Sequence, residues 1–280
     1  MILQRLLGDV PAGEFLERHF LKLPFTRAGG CHDLTPLGTR AMVEGLMASP
    51  GADVLVGRAG EPGRTPDRAL PELLEQGYTV GVRHAERHHP ELAALAEGFR
   101  DDFAAPVDVH VYCTPAQQPG FGWHYDAEDV FLLQLAGGKE WGLRKNTVNP
   151  WPLVETMPAD LRYEREVMPL LRCTLHAGDW LYIPAGYWHR GEAGEQSISL
   201  SVGLASATAL DAFDFLRRRL LPSLRWRQRL PTPGRASPRG EGELVGEHQA
   251  LFAELGQELA ALLADPEFAR AFLADRRTRS

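Results

Sequence analysis

The sequence predicts a mainly β protein with helical flanks, built around a double-sheet core of the jelly-roll type. Between residues 107 and 204, short apolar or alternating runs are separated by Gly and Pro turns, which is typical of sandwiches and barrels. On both sides of this region, apolar residues recur at helical spacing instead. The 280 residues, 44% of them hydrophobic, suffice for one large domain or two modest ones.

Residues 1–90 are predicted to form a helical and loop region that packs on the core. The segment EFLERHFLKL places its Phe and Leu side chains on one helical face, and Pro24 follows as a helix breaker. A second helical run, LTPLGTRAMVEGLMASP, comes after a Gly-rich turn. Residues 51–80 are rich in Gly, Pro and Arg and predict loops with one or two short strands.

Residues 91–205 are predicted to form the jelly-roll core. After the helical run HPELAALAEGFRDDF come five predicted strands, namely VDVHVY, FLLQL, EWGLR, WLYIP and SISLSVGL. In the last of these, Ser197, Ser199 and Ser201 alternate with apolar residues and therefore share one face. Their hydroxyl groups either line the interior or face solvent.

Residues 206–280 are predicted to form a helical region with a linker. Thr208 and Asp211 have the spacing of a capping box at the start of a helix that Pro222 ends. The segment RWRQRLPTPGRASPRG predicts a linker, and a final helix pair between Glu243 and Asp275 carries one apolar stripe.

Composition excludes several classes of protein. No apolar run approaches the roughly 20 residues of a membrane-spanning helix, and Arg5 and Asp9 interrupt the N-terminal segment, so no signal peptide is expected. Cys31, Cys113 and Cys173 share no CxxC spacing, which argues against a disulfide framework or a thiolate zinc site. A cytoplasmic location is expected.

The net charge of −7 is unevenly distributed. Residues 215–240 contain eight arginines and no acidic residue, which favours either contact with RNA, a ribosome or an acidic protein, or a solvated helix face and linker. Only Lys22, Lys139 and Lys145 are lysines among 30 basic residues. A lysine in a special position therefore stands out.

Two segments indicate a metal centre. In GFGWHYDAEDVFLLQL, His124 and Asp126 lie two residues apart at a predicted strand start, which places both side chains on one face and Tyr125 on the other. In AGDWLYIPAGYWHR, His189 follows a strand and a turn, and this strand can lie beside the first. Two histidines and one carboxylate would form a facial triad with three open positions, suited to Fe(II).

An isolated H-x-D pair is usually a polar strand edge or a hydrogen-bonded pair. Here the pair adjoins an apolar strand and is followed by a GD-x-L-x-x-P-x-G-x-x-H element. Because the two patterns occur together, the metal centre is the favoured interpretation.

The runs HYDAEDVFLLQLAGGKEW and GDWLYIPAGYWH resemble the Jumonji-C (JmjC) branch of the cupin superfamily, and most closely its ribosomal-oxygenase group. That group hydroxylates ribosomal proteins with Fe(II) and 2-oxoglutarate on a double-stranded β-helix. The resemblance covers roughly residues 10–205 and also includes EFLERHFLKLPF and VDVHVYCTP.

The resemblance implies that His124, Asp126 and His189 hold iron, and that Lys139 binds the distal carboxylate of 2-oxoglutarate. A dicarboxylate held at a cation does need a second positive charge at its far end, and a partly desolvated ammonium supplies it. The alternative for Lys139 is a solvated turn lysine. Tyr112 could hydrogen-bond substrate or cosubstrate, or be a structural tyrosine.

The resemblance therefore implies an Fe(II)- and 2-oxoglutarate-dependent oxygenase that hydroxylates a side chain of a protein or peptide, with ribosomal proteins as candidates. The same chemistry on a tRNA or a small molecule stays open, as does a catalytically silent cupin acting as a sensor or scaffold. About 75 residues follow the predicted core, enough for dimerisation helices but short for the winged-helix domain usual in bacterial members. A homodimer without membrane contact is expected.

A weaker pattern comprises His84, His88 and His89. If helical, these residues would form a zinc-binding surface, but Pro90 interrupts the run and no further ligand follows at matching spacing. A polar loop is the favoured interpretation.

Overall fold

The computed structural model describes residues 1–59, 61, 63–158, 163, 167–231 and 240–279. The chain forms two compact units, Met1–Ser206 and Ala207–Ser280. No helix in the described part of the chain is both long enough and apolar enough to cross a lipid bilayer.

The helices of the first unit precede most of its strands. They are α1 (Ile2–Leu7), α2 (Ala12–Arg18), α3 (Arg40–Met47), α4 (Leu70–Glu75) and α5 (Pro90–Phe103), with 3-10 helices at His32–Leu37, Ala85–Arg87 and Val154–Thr156. The strands are β1 (Phe25–Arg27), β2 (Asp53–Gly57), β3 (Thr79–Arg83), β4 (Val107–Thr114), β5 (Asp129–Ala136), β6 (Lys139–Arg144), β7 (Leu171–Leu175), β8 (Trp180–Ile183), β9 (Trp188–Ala193) and β10 (Ser197–Leu204).

These strands form two antiparallel sheets. The larger sheet has the order β1-β8-β5-β10-β4-β3-β2, and the smaller has the order β7-β6-β9. Side chains from both sheets line one cavity, so the sheets face each other as predicted for a jelly roll. Among the residues that the structure describes, the strand hydrogen bonds do not continue round into one closed barrel.

Each face of the larger sheet contributes to a different core. Phe131 and Leu133 of β5 pack in the cluster that contains the helical residues Phe15 and Phe99. Leu132, between them on β5, packs instead with side chains of the smaller sheet. Since successive strand residues point to opposite faces, the continuous apolar run FLLQL follows from burial of β5 on both sides.

The N-terminal region differs from the sequence prediction in two ways. The helix predicted over EFLERHFLKL ends at Arg18. It cannot continue through Leu21, which has a left-handed backbone (φ +61°) and donates its N–H to the Tyr182 hydroxyl group. The following residues then form β1, which pairs with β8. Residues 1–90 therefore supply three strands of the larger sheet as well as helices.

The second unit contains α6 (Ala209–Leu220), α7 (Glu241–Ala264) and α8 (Pro266–Arg279). The predicted capping box is confirmed, since Thr208 accepts the Asp211 N–H and Asp211 accepts the Thr208 N–H. The middle of the predicted linker, residues 232–239, lies outside the described residues.

Candidate metal centre and its cavity

The backbones of His124 and His189 are paired directly. The His124 N–H donates to the His189 carbonyl at 3.1 Å, and the His189 N–H donates to the His124 carbonyl at 2.8 Å. Residues that exchange both hydrogen bonds in this way present their side chains on the same face. The two imidazole rings accordingly lie 4.2 Å apart, centre to centre.

The placement of the first histidine differs from the prediction. His124 and Asp126 lie in the loop before β5, and His124 forms an isolated bridge rather than opening a strand. The loop conformation leaves Tyr125 buried against Trp188, with 4.7 Å between ring centres. His189, as predicted, follows the turn after β8, where it is the second residue of β9.

Backbone carbonyl groups orient both imidazoles. Nδ1 of His124 lies 2.9 Å from the Gly122 carbonyl oxygen, and Nδ1 of His189 lies 3.0 Å from the Tyr187 carbonyl oxygen. A carbonyl oxygen only accepts hydrogen bonds, so each Nδ1 carries the proton. Because Nδ1 of each ring faces this acceptor, Nε2 is the atom left to bind a metal, which it does when unprotonated.

Asp126 supplies the third donor. Its Oδ2 lies 3.4 Å from Nε2 of His189, and the donor atoms of the three residues all lie within 4.8 Å of one another. Two ligands bound to a first-row metal at about 2.0–2.1 Å are separated by roughly 3.0–3.4 Å. The three side chains therefore need only small rotations to share one ion.

Charges within this group act on one another. Burial alone would raise the pKa of Asp126, but the hydrogen bond from His189 and the two neighbouring imidazoles lower it well below its usual value. Burial and the proximity of His189 lower the pKa of His124. A charged carboxylate and a neutral His124 are the protonation states that metal binding requires.

Lys139 opens β6 as predicted, and its side chain is only 5% exposed. Its Nζ donates to the Thr114 hydroxyl oxygen at 3.0 Å and lies 5.4 Å from the ring centre of Trp141. Within the described residues, no carboxylate lies within ion-pairing distance of this ammonium group. Burial lowers the pKa of Lys139 to about 8.

Two glycines near Lys139 lie in close contact with their neighbours, and one of them makes room for the lysine side chain. Gly137, in the turn before β6, has φ +67°, and an added Cβ would overlap the Gln196 carbonyl group. On the neighbouring strand, a Cβ at Gly191 would lie 3.1 Å from Cδ of Lys139 and 2.9 Å from the Trp141 ring. No pattern in the sequence indicates Gly191, because its importance depends on which side chains of β6 lie beside it.

Other predicted residues line the same cavity. Tyr112 lies on β4 with its ring 5.8 Å from that of Phe121, and burial raises the pKa of its hydroxyl group. Ser199 and Ser201 also line the cavity, which supports the interior alternative for this row of serines. The Ser199 hydroxyl is buried and has no hydrogen-bond partner within the described chain.

The histidine run before α5 is not helical through its length. Only Ala85–Arg87 forms a 3-10 helix, so His88 and His89 do not continue a helical face with His84. His84 instead joins Glu86 and Asp108 in a second group of donor atoms, all within 4.8 Å of one another.

Parts of the arginine-rich segment are engaged within the second unit. Arg218 pairs with Asp275 at 2.8 Å, and Arg225 pairs with Glu254 at 2.6 Å and Glu258 at 3.8 Å. One of the three adjacent arginines at positions 217–219 thus pairs with an acidic residue, between α6 and α8.

Comparison with known families gives one match, which begins in the first unit and ends just beyond it. Residues 84–212 match the family described as JmjC domain. The protein named bifunctional lysine-specific demethylase and histidyl-hydroxylase NO66 from Dictyostelium discoideum is 32% identical over 143 residues, covering 50% of this chain and 28% of that protein. Ribosomal oxygenase 1 of Gallus gallus is 32% identical over 177 residues, covering 59% of this chain and 29% of that protein. This chain thus spans less than a third of these relatives.

Solved structures resemble a larger share of the chain. The ribosomal oxygenase YcfD from Escherichia coli, in complex with cobalt and 2-oxoglutarate, has a TM-score of 0.64 at 22% identity, covering 96% of this chain and 71% of that one. Another crystal structure of the same E. coli protein has a TM-score of 0.65 at 21% identity, covering 94% and 70% of the two chains. The predicted fold class is confirmed.

Proposed function

We propose that this chain, whose residues 84–212 match the JmjC domain family, is an Fe(II)- and 2-oxoglutarate-dependent oxygenase that hydroxylates a side chain of a protein. The observation that carries the proposal is the position of two complementary sites in one cavity. His124, Asp126 and His189 offer three metal ligands, and the buried ammonium of Lys139 lies on the wall of the same cavity.

The unpaired charge of Lys139 is what selects an anionic cosubstrate. A buried ammonium without a counterion is costly, and buried lysines are normally paired. The carboxylate of a bound dicarboxylate would supply the missing negative charge, and the hydroxyl groups of Thr114 and Ser199 line the same cavity. The unpartnered Ser199 hydroxyl is available to donate to such an anion.

The donor set also fits iron. Two imidazole nitrogens and one carboxylate oxygen form the facial arrangement used by non-haem Fe(II) oxygenases. When bound, iron would supply dioxygen activation, coupled to oxidative decarboxylation of 2-oxoglutarate to succinate. The protein would hold the ligands through the Gly122 and Tyr187 carbonyls. Apolar side chains on the cavity wall, among them Leu132 and Trp141, would limit water around the reacting groups.

A protein substrate is supported by the relatives, whose names include histidyl-hydroxylase and ribosomal oxygenase. For this chain, a ribosomal protein segment entering the cavity in extended form is part of the proposal. So are a homodimer and a cytoplasmic location. The free thiols of Cys31, Cys113 and Cys173 are consistent with a reducing compartment.

The test combines purified protein with Fe(II), 2-oxoglutarate, ascorbate and a set of ribosomal proteins. Succinate release and a mass increase of about 16 Da on one protein, the signature of a hydroxyl group, are the expected result. His189→Ala should release no succinate, because one of the three ligands is lost. Tight iron binding without turnover on any protein, peptide, RNA or small-molecule pool would overturn the oxygenase proposal.

A further inference from the structure

A second group of side chains with metal-binding donor atoms lies at the end of β3 and on the neighbouring strand β4. His84 directly follows β3 and has a left-handed backbone (φ +51°). This conformation accompanies a contact of 3.0 Å between its Nδ1 and Oδ1 of Asp108 on β4. Oε1 of Glu86, in the next turn of chain, lies 3.9 Å from the same nitrogen.

These separations approach those of ligands that share one ion. Donor atoms on a first-row metal with bonds of about 2.0–2.1 Å are roughly 3.0–3.4 Å apart. The 3.0 Å pair of His84 and Asp108 already lies in this range, and Glu86 is 3.9 Å from the His84 nitrogen. All three donor atoms lie within 4.8 Å of one another, so modest side-chain rotations would complete the set.

The surroundings hold Glu86 in place and leave one of its oxygens directed at His84. Oε2 of Glu86 accepts the Val109 N–H at 2.9 Å, and the side chain is 7% exposed. Oε1 is also 3.5 Å from Nε of Arg87, but the Arg87 side chain is 64% exposed. Because it is largely solvated, Arg87 can leave Glu86 with little loss of free energy.

The group is open on one side and has a second imidazole beside it. The side chains of His84 and Asp108 are 29% and 36% exposed, so water can reach an ion there and complete its coordination. The ring of His110 lies 5.5 Å from that of His84, centre to centre. Its Nδ1 is buried and has no hydrogen-bond partner within the described part of the chain.

We infer that His84, Glu86 and Asp108 bind a second divalent metal ion of the zinc type, at a site separate from the proposed iron centre. One imidazole and two carboxylates form a ligand set of borderline hardness, which suits Zn²⁺. The site uses none of the three proposed iron ligands. It therefore does not depend on the proposed oxygenase activity.

The test is equilibrium dialysis of the purified full chain against Zn²⁺, with metal and protein quantified together. The wild-type chain should bind two ions, one at each site. Asp108→Asn and His189→Ala should each bind one, and the double variant should bind none tightly. The asparagine side chain keeps the shape and one hydrogen-bond acceptor of Asp108 but is a much weaker ligand, so the fold should survive the change.

The matched control is Asp53→Asn. Asp53 pairs with Arg83, next to His84 in the sequence, but belongs to neither group of donors. This variant should bind two ions like the wild type. One ion in the wild-type chain that is lost in His189→Ala, or two in a folded Asp108→Asn variant, would show that the His84–Asp108 contact is only a hydrogen bond. Failure of the succinate assay would leave the binding result of His189→Ala unaffected.

Discussion

The hydroxyl group of Tyr182 donates a 2.6 Å hydrogen bond to Oδ1 of Asp129, and both side chains are fully buried. The same oxygen accepts the Ala185 N–H at 3.2 Å. Gly186, the next residue, donates its N–H to the Asp126 carbonyl group at 2.8 Å. Asp129 therefore stabilises the turn that leads to His189. This turn also holds the loop that carries Asp126 through the Gly186 hydrogen bond.

We expect Asp129→Ala to lower the affinity for the metal as well as the stability. It would leave the Tyr182 hydroxyl and the Ala185 N–H without their acceptor, at a cost of about 2–4 kcal/mol in the free energy of unfolding. The turn before His189 would loosen, and the dissociation constant for Co²⁺ at the proposed iron centre should rise about 10-fold or more. Denaturant titration and calorimetry measure the two effects.

Asparagine at position 129 is the matched control. Its carbonyl oxygen can accept from Tyr182 and Ala185. The Ser206 hydroxyl group, which donates to Asp129 in the wild type, would have to rotate and accept a hydrogen bond from the asparagine amide. Burial raises the pKa of Asp129, so the carboxylate contributes less stability as pH rises, and Asp129→Asn should be less pH-dependent than the wild type. Equal metal affinity in the alanine variant and the wild type would contradict the positioning role.

Binding of 2-oxoglutarate should weaken as the pH rises. Because the pKa of Lys139 is about 8 in the free protein, its ammonium becomes a neutral amine as the pH rises above that value. Between pH 7 and pH 9 the dissociation constant should therefore rise about 10-fold. Calorimetric titration of the Mn²⁺-loaded protein at several pH values measures it.

Lys139→Met separates this effect from titration of the metal ligands. Methionine has a similar length without the charge, so the variant should bind 2-oxoglutarate about 10- to 100-fold more weakly at pH 7. Its remaining pH dependence reports the other groups alone. If wild type and variant changed in parallel from pH 7 to pH 9, Lys139 would not be the group responsible.

Gly191→Ala tests the space beside Lys139. The added methyl group would crowd Cδ of Lys139 and the Trp141 ring, at a cost of about 1–3 kcal/mol. The dissociation constant for 2-oxoglutarate should rise, whereas that for metal should change little, since Gly191 contacts none of the metal ligands named above. Gly194→Ala is the control, because a Cβ there meets nothing within 4 Å. Equal cosubstrate affinity in both variants would argue against this role for Gly191.

The proposed homodimer gives a prediction about mass. Phe213 of α6 and Phe252 of α7 are 58% and 53% exposed, so both offer apolar surface to a second chain. Light scattering should give twice the chain mass of 31.0 kDa. Changing both phenylalanines to Asp should shift the mass toward that of one chain, without changing the first unit's melting transition. A wild-type mass of one chain at all concentrations would contradict the proposal.

The sequence predicts the strands around the metal centre better than the connections between them. Periodic patterns identify β4, β5, β8 and β10, because alternation and apolar runs reflect burial directly. By contrast, β7 and β9 are not predicted, since LRCTL alternates over only five residues and WHRGEA does not alternate. The motif around His124 and Asp126 is predicted as a strand start but is a loop, because two-residue spacing also fits an isolated bridge.

Some residues of the two sites are not predicted because their roles depend on contacts between segments that are distant in the sequence. Thr114 meets Lys139 across the two sheets, although the alternation of β4 already places Thr114 on the face of Tyr112. Asp108 meets His84 at a residue with a left-handed backbone, between β3 and the 3-10 helix. No local pattern indicates that conformation at a histidine.

The geometry of the metal centre depends on the backbone pairing of His124 with His189, and not on which side chains these two residues carry. The main-chain groups of these two residues bond to each other, so the Cα atoms stay in register whatever side chains they carry. Exchanging either histidine for Glu or Cys would then alter which metal is preferred without dismantling the scaffold. This chain is accordingly a suitable starting point for redesigning metal selectivity one ligand at a time.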